Sequence, residues 1–186
     1  MANIKISELN ALAERPAAND LFVVVDVSEP LDANKTKKIR FDGLNKVPTC
    51  RVYNSANISI PNNENTLLTF NSERWDTDAM HSTTTNASRL TCKTAGVYTI
   101  TGHVRWPANT TGNRTLEIVR NGSSIIARVN QDGMTTSLSM AISTQYALVV
   151  NDYVELRVTQ TSGAALDILA SSAFSPEFGM TWLGTV

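Results

Sequence analysis

Five side chains with acid–base capacity crowd one part of the sequence: Glu64, Glu73, Asp76, Asp78 and His81, all within NNENTLLTFNSERWDTDAMHS. An imidazole held against a carboxylate can take or give a proton, and paired carboxylates can hold a hard cation such as calcium through oxygen. The surroundings argue against both uses. The stretch is polar, with no apolar frame to desolvate a base, so its charges are expected to be solvated. Calcium on Asp76 and Asp78 stays open as an alternative. The second histidine, His103, and the two cysteines, Cys50 and Cys92, lack zinc-ligand spacing. The thiols are read as buried strand residues, with a disulfide between them as the other possibility. No residue is therefore assigned a catalytic or metal-binding role, and no cofactor is expected.

The elements that would carry these residues are strands. In GVYTITGHVRW, residues 96–106, Tyr98, Ile100, Val104 and Trp106 fall on one face and Val97, Thr99, Thr101, His103 and Arg105 on the other, the period of a half-buried strand. Further strands are expected at 50–53, 57–60, 66–70, 88–92, 114–120, 124–130, 138–150, 153–160, 166–170 and 179–183. Asn121-Gly122 is the strongest turn signal, since both residues tolerate positive φ, and Asn151-Asp152 marks another. Tyr98, Ile100, Leu116, Ile118, Leu156 and Trp182 are the expected core. This predicts an all-β sandwich from residue 47 onward.

Charge density sets the boundary. Residues 1–46 hold seven basic and seven acidic side chains and the remaining 140 hold nine and ten, so the charged fraction falls by about half across Val47-Pro48. Residues 1–46 read as a small arm: a short helix capped by Ser7, then a strand over 21–27, LFVVVDV, a loop over 29–34 and a second strand over 37–41. So small a unit can hardly bury enough apolar surface to offset its ordering entropy. Its apolar groups, Ile4, Ile6, Leu9, Leu12, Leu21, Phe22, Val23, Val24 and Val25, are the expected docking residues. The net charge of -1 and pI near 6.1 give no basic excess for nucleic acid, and no apolar run is long enough to span a membrane. Neither partner is expected.

Beyond residue 47, SRLTCKTAGVYTITGHV, an NG hairpin, LVVNDYVELRVTQ and AFSPEFGMTWLG together resemble the ten-stranded jelly roll of complement-type globular heads and tumour-necrosis-factor ligands. The resemblance falls on Leu90, Cys92, Gly96, Tyr98, Leu148, Asp152, Val154, Leu156, Phe174, Phe178 and Gly179 and covers about 135 residues. Asn151 departs from it, standing where that family usually carries Gly, and Pro176-Glu177 lengthens the last motif. The resemblance implies a homotrimer. Val97, Thr99, Thr101 and His103 on the central strand, with Ser139, Ala141 and Ser143 on the strand from Leu138, are the expected trimer interface, because small side chains let sheets approach closely.

The arm is similar to the N-terminal segment of many tailed-phage virion proteins, through Ile6, Leu9, Leu12, Asp20, Val24, Val25, Asp26, Ser28, Thr36, Lys37, Lys38, Ile39 and Leu44. There this segment serves attachment or trimer assembly. The two resemblances together imply a non-enzymatic virion protein, made in the host cytoplasm, whose arm docks on the major capsid protein or another virion protein. A capsid decoration (cement) protein is the first expectation, because no repetitive shaft separates arm from head. The alternative is the receptor-binding tip of a tail fibre or spike recognising a host glycan or protein, for which Trp75 is the one candidate stacking residue.

Overall fold

The computed structural model of the chain describes residues 21–25, 36–40, 47–171 and 174–186. The chain divides into two units, Met1–Lys46 and Val47–Val186. In the first, β1 (Leu21–Val25) pairs antiparallel with β2 (Thr36–Arg40), Leu21 opposite Arg40 and Val25 opposite Thr36. The expected helix, carrying Leu9 and Leu12, and the expected docking residues Ile4 and Ile6 lie outside the described residues.

The second unit contains β3 (Thr49–Tyr53), β4 (Ile58–Ile60), β5 (Thr66–Leu67), β6 (Ser72–Asp76), β7 (Arg89–Thr91), β8 (Gly96–Trp106), β9 (Asn109–Arg120), β10 (Ser124–Met134), β11 (Leu138–Leu148), β12 (Tyr153–Gln160), β13 (Leu166–Ile168) and β14 (Glu177–Gly184). Among the described residues there is no helix. Ten strands form two five-stranded sheets, one ordered β11-β8-β14-β3-β6 and the other β10-β9-β12 with β5 and β7 both on the far side of β12, while β13 and β4 make a small separate pair. Successive strands β7, β8, β9 and then β10, β11, β12, β14 pass back and forth between the two sheets. This is the expected all-β, ten-stranded sandwich.

The core lies between the sheets. Tyr98, Ile100, Val104 and Trp106 of β8 face Leu116 and Ile118 of β9 and Val154, Leu156 and Val158 of β12, all fully buried. Gly102 interrupts the apolar series of β8 for a steric reason: a Cβ there would sit 2.6 Å from Cδ1 of Leu156, so the missing side chain makes room for the leucine of the opposite sheet. Phe178 and Met180 of β14 complete this layer, and the Phe178 ring stacks on Phe70 with centroids 5.9 Å apart. Trp182, expected in the core, is only half-buried at the sheet end, where its Nε1 donates to the Ala95 carbonyl at 3.1 Å.

The turns behave as their chemistry requires. Asn121 and Gly122 take φ of 51° and 74° and close the β9–β10 hairpin. Asn151 takes φ 74°, which asparagine tolerates, so it can replace the glycine usual at that turn. Asp152 holds the turn: it accepts the Val149 N–H at 3.1 Å and the Asn121 amide at 2.7 Å, while Asn121 in turn accepts the Tyr153 N–H at 2.9 Å. Burial works against the Asp152 charge. The Asn121 and Val149 hydrogen bonds and the nearby Arg120 outweigh it and hold the carboxyl below the usual range.

Two expectations fail in the same way. Ser72–Asp76, read as part of a polar loop, is the edge strand β6, paired with β3. The β9–β10 hairpin is longer than 114–130, since Asn113 pairs with Asp132 and Asn109 with Met134. Both segments are mostly exposed, so neither needs the apolar alternation by which strands are recognised in sequence.

Candidate functional site: a sheet face of small residues

The face of β11-β8-β14 turned away from the core is built by the same alternation that builds the core. Cross-strand partners share a face. Ser139 lies opposite Arg105, Ala141 opposite His103 and Ser143 opposite Thr101, with Thr99 and Val97 following along β8. Across the other side of β8, Glu177 lies opposite His103, Gly179 opposite Thr101 and Thr181 opposite Thr99. All seven residues expected at a subunit interface thus come together on one continuous surface. Ser139, Ala141, Ser143 and Thr101 are exposed, and Val97, Thr99 and His103 are partly covered. Because the side chains are small, the face is hollow: a trough of about 570 Å³ runs over it from Ala141 across Thr101 and Gly179 to Arg51 and Trp75.

Charge on this face comes from Arg105, which donates Nη2 to the Ser137 hydroxyl at 2.7 Å and lies over the Phe174 ring, and from a cluster around Glu177. Glu177 is almost fully buried there although it points away from the core, because two arginines cover it: Arg51 donates Nε at 2.5 Å and Arg74 donates Nη2 at 3.0 Å. Ser175 adds a third bond at 3.1 Å. Arg74 also lies 4.0 Å from the Tyr53 ring centroid and Arg51 lies 5.6 Å from that of Trp75. Sequence reasoning missed this cluster. Arg51 was available from its position between Cys50 and Val52, whereas Arg74 and Trp75 lie on the strand that went unrecognised.

Burial would by itself raise the Glu177 carboxyl, but the Arg74, Arg51 and Ser175 bonds and the Arg51 charge outweigh it and hold it below the usual range. A carboxyl depressed in the fold adds stability that is present above its unfolded value, about 4.3, and is lost as pH falls through the folded value. Unfolding midpoints measured from pH 6 down to pH 2 are expected to fall over that window, and Glu177→Gln is expected to flatten part of the slope. An unchanged slope in the variant would remove Glu177 from this account.

The outward face of the second sheet is different in kind. Glu117 of β9 is bracketed by Arg128 of β10 at 2.5 Å and Arg157 of β12 at 2.7 Å. Glu155 pairs with Ser88 and Arg89, and the Arg89 guanidinium lies 4.0 Å from the Tyr153 ring centroid. That face is a ladder of already satisfied ion pairs facing water.

In the acidic stretch Glu73 Oε1 lies 2.9 Å from Nδ1 of His81, and the other carboxylates bond neighbouring groups or lie exposed. The Asp76 carboxylate is turned to the backbone, accepting the N–H groups of Asp78 at 3.1 Å and His81 at 2.9 Å, and Asp78 accepts the Thr94 hydroxyl at 3.0 Å. Glu64 lies exposed in the β4–β5 connection. Among the described residues no group of three or more His, Cys, Asp or Glu side chains could hold a metal ion. Cys50 and Cys92 are free and buried, so the disulfide alternative does not form. Burial pushes both thiols up, aided at Cys50 by the Asp76 and Glu73 charges.

Two five-stranded sheets in this order define a jelly roll of the type shared by tumour-necrosis-factor ligands and complement globular heads. Murine APRIL is similar to this chain at TM-score 0.58 and 12% identity, covering 74% of this chain and 100% of its own. The globular domain of zebrafish complement 1qA is similar at TM-score 0.56 and 16% identity, covering 75% and 99%. Eiger TNF from S. frugiperda is similar at TM-score 0.55 and 13% identity, covering 75% and 94%. At such identities the likeness is one of fold. No protein-family model and no curated protein sequence matches the chain.

Proposed function

We propose that this chain is a non-enzymatic structural protein of a phage virion, a homotrimer whose jelly rolls meet through the β11-β8-β14 face and whose arm, residues 1–46, docks on the particle. The role favoured is capsid decoration, with the arm bound to the major capsid protein. The observation that carries self-association is the contrast between the two outward faces. One is an ion-pair ladder suited to water; the other is a hollow of Ala, Ser, Thr and Gly whose one carboxylate, Glu177, is already paired and whose Arg105 is hydrogen-bonded to Ser137, a surface that a second copy can approach closely. The phage assignment is supported by the sequence of the arm.

Light scattering of the full chain is expected to give three times 20.2 kDa, independent of concentration over the micromolar range. Ala141→Glu and, separately, Val97→Glu are expected to produce monomer, because each would bury an unpaired carboxylate in every copy. A concentration-independent monomer in the unmodified chain would sink the reading.

The receptor-binding tip keeps one observation in its favour. Trp75 is 44% exposed on the edge strand β6, beside the trough and near Arg51, an arrangement on which a sugar or side chain could stack.

A further inference from the structure

One row of outward positions crosses all five strands of the first sheet. Ser143 of β11 lies opposite Thr101 of β8, Thr101 opposite Gly179 of β14, Gly179 opposite Arg51 of β3, and Arg51 opposite Trp75 of β6. The row begins with two hydroxyls, carries no side chain at Gly179, and ends in a guanidinium and an indole at the sheet edge. Arg51 and Trp75 both line that end of the trough.

The indole is held in place. Trp75 Nε1 donates to the Thr49 hydroxyl at 3.2 Å, and that hydroxyl shares a hydrogen bond of 2.8 Å with the hydroxyl of Thr181. The ring is still 44% exposed, so a broad apolar surface with a settled orientation faces water. Binding against such a surface costs little ordering entropy. Beside it the charges do not cancel, because two guanidinium groups, Arg51 and Arg74, share the single carboxylate of Glu177. Arg51 spends Nε and Nη2 on that carboxylate. Among the described residues its Nη1 donates to no protein group, and its side chain is 46% exposed.

We infer that this end of the trough binds an acidic saccharide, a sugar ring that carries a carboxylate. The C–H face of the pyranose lies on the Trp75 ring, and its carboxylate accepts from Arg51, whose Cζ lies 5.6 Å from the ring centroid. Its hydroxyls meet those of Thr101 and Thr181, which line the same hollow. A neutral sugar would use the indole and the hydroxyls but not the surplus charge, and a small carboxylate would use the charge but not the indole. The site lies within one chain and rests on neither self-association nor the virion role. In the proposed trimer the covered strands are β11, β8 and β14, and Arg51 and Trp75 stand beyond them on β3 and β6.

The test uses the full chain and three probes at one ionic strength: glucuronate, glucose as the same ring without the carboxylate, and acetate as a carboxylate without the ring. Titrations are followed through the backbone amide resonances of Gly179 and Thr181, which every variant retains. Glucuronate is expected to shift them saturably with a millimolar Kd, and glucose to bind at least about fivefold more weakly, the loss of one half-exposed charged contact. Acetate is expected to give no saturable shift. Trp75→Ala is expected to weaken glucuronate about tenfold, and Arg51→Gln to bring glucuronate to the level of glucose. Equal affinity for glucuronate and glucose, acetate binding as tightly as glucuronate, no saturable shift with glucuronate, or unchanged affinity in Trp75→Ala would each overturn the inference. The comparison of probes in the unmodified chain decides it even if a variant failed to fold. Light scattering of the same solutions reports the subunit state, so a monomer that binds glucuronate over glucose would overturn the trimer and support this site.

Discussion

Replacing Leu156 by Ala is expected to cost about 2–5 kcal/mol and Gly102→Ala about 1–3 kcal/mol, yet the double variant is expected to cost less than the sum. Leu156 is fully buried at the centre of β12, so its truncation leaves a cavity between the sheets. A methyl added at Gly102 would lie 2.6 Å from Leu156 Cδ1 and 3.0 Å from Cδ2, so the methyl and the leucine compete for the same space. In the double variant the new methyl enters the space that the leucine has left. Denaturant unfolding at one fixed protomer concentration measures all three, and the coupling is expected to exceed about 0.5 kcal/mol in the favourable direction. Strict additivity would show that the two sheets do not meet at this point.

The core was legible in the sequence because burial on one face writes a period of two. Gly96–Trp106 and Tyr153–Gln160 carry it along their whole length, and the structure gives both strands the expected bounds. The opposite face of β8 followed from the same period, which is why Val97, Thr99, Thr101 and His103 share a face with Ser139, Ala141 and Ser143. What stayed hidden lacks that signature. β6 is an edge strand with a charged sequence, SERWD, and a strand wet on most sides is free to be polar. Glu177 was hidden for another reason. Its covering arginines come from β3 and β6, 126 and 103 residues away in the chain, so nothing local marks that carboxylate as buried. His81 was read as part of a solvated loop because its partners, too, are supplied by the fold rather than by an adjacent motif.

Deleting residues 1–46 is expected to leave the jelly-roll trimer intact and to abolish incorporation into virions. Among the described residues of the arm β1 pairs with β2, and Leu21 to Val25 are five consecutive apolar residues in the sequence. A two-stranded ribbon by itself is marginal in water, and a continuous apolar run gains stability from a partner that covers it. Incorporation of the shortened protein at normal levels would mean that the head, not the arm, makes the attachment. Particles prepared with and without the full chain then separate the two roles. For a decoration protein, particles that lack it rupture at lower temperature while adsorption to host cells is unchanged. For a receptor-binding tip, rupture is unchanged and adsorption is lost, with Trp75→Ala in the full chain reproducing that loss; this outcome would overturn capsid decoration.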